Sequence, residues 1–326
     1  MTTTALPQTS LQIPEHTASA VCEGLASRPK WLPSWLFYDA EGSRLFDQIT
    51  ELPEYYVTRT ERSILAARAE EIIGLAAGGD ALRIVELGAG SADKTRLLLS
   101  TAVDRQDTVF YEPVDVCASA LEEARERIER EIPGVIVSPR VQDYTKGMEL
   151  DPPNPGERRL ALYIGSSIGN FEPEEAELLL ERVRDALAPG DSLLLGVDLV
   201  KDRATLLAAY DDAAGVTAAF NRNVLVRLNR ELGSNFDPEA FTHRAVWNRF
   251  RSRIEMHLAN LLPQTVQIPS LDMRLEFSAG ETIHTENSYK YQPGQAEAML
   301  VEAGFDPATT WTDEKGWFAV CLARAN

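Results

Sequence analysis

The sequence predicts an α/β fold, a doubly wound parallel sheet with a second, inserted α+β lobe. Three observations predict it: strand and helix patterns alternate from residue 83 onward, a glycine-rich turn follows the first strand, and the rhythm breaks beyond about 200 before resuming near 294. Alternation of this kind puts helices on both faces of a parallel sheet.

Taken in order, residues 1–16 are rich in Thr, Pro and Gln and have little to bury, so they are expected to form a mobile arm. Aromatics then gather around prolines at 31–38 and 52–56, flanking an expected helix at about 40–50. Residues 58–77 repeat Leu65, Ala69, Ile72 and Ala76 at helical spacing. Strands are expected at 83–87, 107–112, 134–139, 159–165 and 191–198, with helices near 93–102, 116–131, 173–188 and 203–230. Strand-like runs at 252–260 and 265–277 belong to the inserted lobe, and a helix near 294–303 with a strand at 317–322 returns to the sheet, the strand antiparallel at its edge. The expected division is therefore an arm at 1–16, a substrate-binding lobe at 17–60 plus 200–289, and a cofactor domain at 61–199 plus 290–326.

Composition narrows the function. Of 326 residues, 50 are Asp or Glu and 32 are Lys or Arg, a net charge of −18 that would repel a phosphate backbone. No basic cluster offsets it, so nucleic acid is not an expected partner. Cys22, Cys117 and Cys321 lie too far apart in sequence for a local metal or redox pair and read as cytoplasmic thiols. Neither a secretory start nor an apolar run of about 18 residues is present, so no membrane is expected.

The turn Glu86-Leu87-Gly88-Ala89-Gly90 stands where open α/β sheets bind ligands. A dinucleotide fold wants a third small residue three positions after Gly90, yet Asp93 stands there. A carboxylate beside a pyrophosphate is unfavourable. S-adenosylmethionine has no phosphate, which favours it as the cofactor and makes the sheet one of the class I methyltransferase kind. Asp115 and Asp143 follow successive strands, where they suit a ribose and an adenine amine, and Lys94 suits the methionine carboxylate. Each has a plainer reading: a solvated loop acid, or a lysine facing water. After the fourth strand, Gly165 to Asn170 places glycines and a neutral amide beside the expected sulfonium. Asn170 could align an amine for in-line displacement, or merely cap the helix that begins near 173.

The runs 37–43, 52–59, 86–94, Gly165 to Asn170, and 209–217 with Phe220-Asn221 together resemble the histidine Nα-methyltransferases of ergothioneine biosynthesis, over roughly 25–326. The resemblance implies three methyl transfers to L-histidine, through its mono- and dimethyl forms, giving hercynine. It implies donor binding by Glu86, Gly88, Gly90, Lys94, Asp115, Asp143 and Tyr144, with Cys117 and Tyr144 departing from the family's usual residues. It implies that Asn170, Tyr38, Tyr55, Gly165 and Tyr210 hold the amino-acid end, Asn170 and Tyr38 being the catalytic pair. Glu286 and Ser288 would read the imidazole and Met256 would line its pocket; by themselves these are a strand acid, a hydroxyl and a core methionine. A cytoplasmic monomer is expected. The rival readings are a methyltransferase for another amine, a nicotinamide dehydrogenase and a non-catalytic ligand sensor.

Overall fold

The structure is a computed structural model and describes residues 15–90, 92–150 and 154–326. The expected arm lies outside the described residues, except for Glu15 and His16, which begin a helix.

In chain order the elements are α1 (Glu15–Ala26), β1 (Lys30–Trp31), α2 (Ala40–Glu51), α3 (Tyr56–Ala77), β2 (Ala81–Leu87), α4 (Thr95–Gln106), β3 (Val109–Asp115) and α5 (Ala118–Glu131). Next come β4 (Val135–Val137), β5 (Arg140–Val141), β6 (Glu157–Tyr163), α6 (Pro173–Ala186), β7 (Ser192–Asp198), α7 (Arg203–Tyr210), α8 (Val216–Leu232) and β8 (Phe241–Asn248). The chain ends with β9 (Arg253–Asn260), β10 (Gln264–Ile268), β11 (Met273–Phe277), β12 (Thr282–Tyr289), α9 (Gln295–Glu302), β13 (Phe305–Thr312) and β14 (Phe318–Ala325).

These elements form two compact units. The larger comprises 49–210, 247–254 and 287–326. Its sheet runs β13-β14-β7-β6-β2-β3-β4, with β5 also paired to β3. β2, β3, β4, β6 and β7 are parallel, and β14 is antiparallel to both β7 and β13. β7 is buried along its whole length, as a strand covered on both faces must be. Leu193, Leu195 and Val197 share a core with Leu179 and Leu180 of α6 and Leu300 of α9. The strand order reverses between β2 and β6, so the turns after these two strands meet at the carboxyl edge where such sheets bind ligands.

One expectation is corrected here. The strand at 317–322 is not the edge: β14 lies inside the sheet, and β13 covers it. β13 is exposed at half its residues, contains Pro307 and has a register shift between Pro307 and Thr309, all features of an edge strand. Its weak apolar pattern hid it in the sequence.

The smaller unit comprises described residues of 15–48 with 211–246 and 255–286. Its sheet runs β1-β12-β9-β8, with β10 and β11 as a separate hairpin. α8 buries Phe220, Val224, Leu225, Leu228 and Leu232 along one stripe. The single helix expected over 203–230 is two helices. The Asp212 carboxylate accepts the backbone N–H of Val216 (3.0 Å) and of Thr217 (2.7 Å), which starts α8 afresh. Residues 49–60 and α7 fall in the larger unit, where the sequence placed them in the substrate lobe. α3 packs against α4, β6 and β14, which holds the segment at 56–60 there.

Candidate active site

The glycine turn joins β2 to α4 at the point where the strand order reverses. Gly88 and Gly90 have φ of +63° and +49°, a left-handed region that favours glycine. A Cβ on Gly88 would lie 3.3 Å from the Tyr144 hydroxyl, whereas one on Gly90 would meet nothing within 4 Å. The turn therefore has Tyr144 on one side and open space on the other.

Glu86 turns its carboxylate into the interior, where it accepts from Thr95 Oγ1 at 2.6 Å and from the Tyr111 hydroxyl. Burial pushes its pKa up to about 7, against the lowering effects of Thr95, Tyr111 and Lys94. Its side chain thus ties the end of β2 to the first residue of α4 and shapes the turn from beneath. Asp115 ends β3 and accepts from Cys117 N (3.0 Å) and Gly90 N (3.5 Å), which seats it against the turn. Asp143 accepts from Thr145 N (3.1 Å) and pairs with Lys146 (3.0 Å). Burial raises its pKa, but the Thr145 and Lys146 hydrogen bonds lower it further than that, and the net shift is downward. Tyr144 is edge-on to Tyr163 at 5.9 Å, and burial pushes its hydroxyl up to about 12.

Two sequence arguments are sharpened. α4 begins at Thr95, so Lys94 precedes the helix instead of lying in its first turn. The Asp93 carboxylate is paired with Arg62, and with Arg96 at 3.5 Å, so it is not a lone negative charge facing the turn.

Lys94 pairs with Glu61, a wholly buried carboxylate of α3. Glu61 also accepts from Gly165 N at 2.8 and 3.0 Å, so it joins the turn after β2 to the turn after β6. A Cβ on Gly196 would come within 2.1 Å of Glu61 Oε1, which explains the glycine inside β7. Sequence reading missed Glu61. The available signal was its place four residues before Leu65 on the apolar stripe, where a carboxylate is out of character.

The second turn has Gly165 at φ +84° and Ser166 at +60°, followed by a short 3₁₀ helix, Ser167–Asn170. Asn170 does not cap α6. Glu172 is the cap, in a reciprocal box with Glu175. The half-buried Asn170 amide makes no hydrogen bond among the described residues.

Among the residues expected to hold the acceptor, Tyr55, Tyr210 and Ser288 come together in the larger unit. The Tyr55 and Tyr210 rings are edge-on at 6.2 Å, and the Tyr210 and Ser288 hydroxyls are 2.7 Å apart. Lys290 donates to both hydroxyls at 2.8 Å and pairs with buried Asp198, which Tyr56 and Lys201 also contact. Sequence reading missed this group too, although Asp198 is an acid at the end of a strand, as Asp115 is.

Tyr38, Met256 and Glu286 belong to the smaller unit. Tyr38 packs edge-on against Phe46 (5.7 Å) and Phe220 (5.9 Å). Met256 is 2% exposed, and its carbonyl accepts from Thr285 Oγ1 at 3.0 Å. Glu286 is half-buried on β12, two residues after His284, whose ring stacks on His257 at 4.9 Å.

A parallel sheet with an antiparallel final pair, bearing a glycine turn at its reversal point, has the class I methyltransferase fold. Asp115, Asp143 and Lys94 stand around the open turn, a set of acceptors and a cation of the right kind for the hydroxyls, amine and carboxylate of a donor without phosphate. More particularly, the chain belongs to the family of histidine-specific, S-adenosylmethionine-dependent methyltransferases, whose family model matches residues 17–325. Histidine N-alpha-methyltransferase of Mycolicibacterium smegmatis is 49% identical over 300 residues, covering 92% of each chain. The protein of the same name from Mycobacterium tuberculosis is 46% identical over 303 residues, covering 93% of each. Ergothioneine biosynthesis protein 1 of Neurospora crassa is 29% identical over 306 residues, covering 87% of this chain and 32% of that one. The chain is thus an enzyme whose methyl donor is S-adenosylmethionine, and the dehydrogenase reading falls. No helix among the described residues is long and apolar enough to cross a membrane.

Proposed function

We propose that the enzyme trimethylates the α-amino group of L-histidine to give hercynine, a step toward ergothioneine. The observation that carries this reading is the uncommitted amide of Asn170, at the end of a turn tied to the donor-side Lys94 through Glu61. Family membership and the similarity to two histidine N-alpha-methyltransferases support the choice of acceptor.

In this reading Gly88, Gly90, Asp115, Asp143, Tyr144 and Lys94 hold the donor. Lys94 keeps two of its three protons for the donor's carboxylate after bonding Glu61. Glu86 acts from below by shaping the turn. When bound, S-adenosylmethionine supplies an electrophilic methyl group and leaves as S-adenosylhomocysteine. Asn170 and Tyr38 orient the amine so that its lone pair faces the methyl carbon in line. The ammonium proton goes to solvent, so no strong base is needed. Tyr55, Gly165 and Tyr210 hold the amino-acid end, while Glu286 and Ser288 read the imidazole beside Met256. Glu286 and Ser288 are two apart on β12, so they share a face of that strand.

Incubation with S-adenosylmethionine and an equimolar amino-acid mixture, read by mass, tests this reading. Histidine should gain one, two and then three methyl groups, and no gain on histidine would reject it. The same reading makes the protein a cytoplasmic monomer; three free thiols support the compartment, and light scattering tests the monomer.

A further inference from the structure

Beyond β5 the chain leaves the sheet, and from Gln142 to Leu150 its regular structure is a 3₁₀ turn, Tyr144–Lys146. Asp115 is the last residue of β3 and is fixed by the ladder it belongs to; Asp143, two residues past the end of β5, is not. The orientation of its carboxylate must come from side chains and from neighbouring turns. Gln142 N donates to the Asp115 carbonyl at 3.0 Å, which anchors the start of the segment. Tyr144, Met148 and Leu150 pack against the core that Leu179, Leu180 and Val183 of α6 share.

α6 also reaches this segment with a charge. Arg182 stands one residue before Val183, at the border of the buried stripe of the helix, and its Nη1 donates to the carbonyl oxygen of Thr145. Thr145 in turn holds Asp143. Its backbone N–H (3.1 Å) and its hydroxyl (2.5 Å) both donate to Asp143 Oδ1. A carboxylate bound twice at one oxygen by one residue turns with that residue. Lys146 pairs with Oδ2 at 3.0 Å but is 70% exposed, so it follows the carboxylate and does not direct it. The chain of bonds therefore runs from a packed helix through Thr145 to Asp143.

We propose that Arg182 is a positioning residue that sets the base preference of the donor site: through Thr145 it fixes the Asp143 carboxylate as an acceptor for the exocyclic amine of adenine. The proposal rests on the reading that Asp143 meets that amine. It adds that the base is selected with the help of a residue of α6 that acts through its neighbours. A misdirected carboxylate would still leave the ribose, the methionine end and the glycine turn their own contacts, so its loss falls on the amine alone.

S-adenosylhomocysteine and its 6-deamino analogue, which has a hydrogen in place of the amine, separate this role from a structural one. By calorimetry the unaltered enzyme should bind the first about tenfold or more tightly than the second, as a hydrogen bond to a charged group warrants. In Arg182→Met the ratio should shrink to about threefold or less, while the affinity for the deamino analogue stays within about twofold. An unchanged ratio, whether both ligands bind as before or both bind more weakly, overturns the proposal, because Arg182 would then serve the fold alone. Thr145→Val cuts the hydroxyl link to Asp143 and leaves the carbonyl to Arg182, and the ratio should shrink there as well. It decides the matter if Arg182→Met shows no cooperative unfolding; a ratio unchanged in Thr145→Val also overturns the proposal. Equal affinity of the unaltered enzyme for the two ligands is a different result, which rejects the assignment of Asp143 to the adenine and the proposal with it.

Discussion

Glu61 shows how much one buried carboxylate can organise. It has no exposure to water, and its partners are Lys94 on one side and the Gly165 N–H on the other. Replacing it by Gln keeps an acceptor for Gly165 but weakens the charge-assisted bond that holds the Lys94 ammonium in place. S-adenosylhomocysteine should then bind about tenfold more weakly, ~1.4 kcal/mol, by calorimetry. Unchanged affinity would mean that Lys94 needs no help in reaching the donor.

His257 makes a different point at the same scale. Burial, with the adjacent His284 and Arg244 adding to it and Glu255 opposing, pushes its pKa from 6.5 down to about 4. The unfolded chain therefore binds a proton on this ring between those two values and the folded chain does not, so stability falls as pH drops from about 6.5 to about 4. Melting curves across that window should show His257→Gln less sensitive to acid than the unaltered protein. Parallel curves would remove His257 as the cause.

At the scale of elements, the segment from β6 to α6 is fixed from both ends. Glu61 holds its first residues. Glu172 caps α6 and also receives Arg253 at 2.6 Å, Asn287 at 3.1 Å and Arg251 at 3.0 Å. Burial raises its pKa, but the hydrogen bonds of Tyr289 and Arg253 and the charges of Arg253 and Arg251 lower it further, and the net shift is downward. Glu172→Ala should cost about 0.5–2 kcal/mol in urea unfolding, the usual range for a lost cap. Because Asn170 is two residues upstream, kcat should fall as well; a stability loss with unchanged kcat would show that Asn170 is held without the cap. Gly169 is constrained more directly, since a Cβ there would lie 2.9 Å from the Tyr289 carbonyl oxygen. Elements differ in how far the sequence reveals them. β7 was legible because Leu193 to Val197 is an unbroken apolar run inside a strand buried along its whole length. β13 was not, because an edge strand with a proline and solvent on one side has little periodicity to read. The long helix expected at 203–230 failed for a local reason, the capture of two N–H groups by Asp212.

For the whole molecule, the donor should act as a stabiliser, because its site is assembled from turns that meet only in the folded sheet. At a hundred times its dissociation constant, S-adenosylhomocysteine should add about 2.7 kcal/mol to the unfolding free energy. Gly88→Val should lose that gain, since a branched side chain would sit in a left-handed conformation against Tyr144. Thermal melting with and without ligand measures both.

The sequence by itself determined the fold class, the glycine turn, the phosphate-free donor and the family, because each is written in local periodicity, spacing or long matching runs. It also marked Asp115, Asp143, Asn170 and Tyr210 by their positions after strands or in those runs. Only the tertiary structure decided that Glu61 meets Lys94, that Glu172 and not Asn170 caps α6, and that Lys290 stands behind Tyr210 and Ser288. Periodicity says which side of an element faces inward. Which buried charges become neighbours depends on the order of the strands and the loss of water around them, and both arise only when the chain has folded.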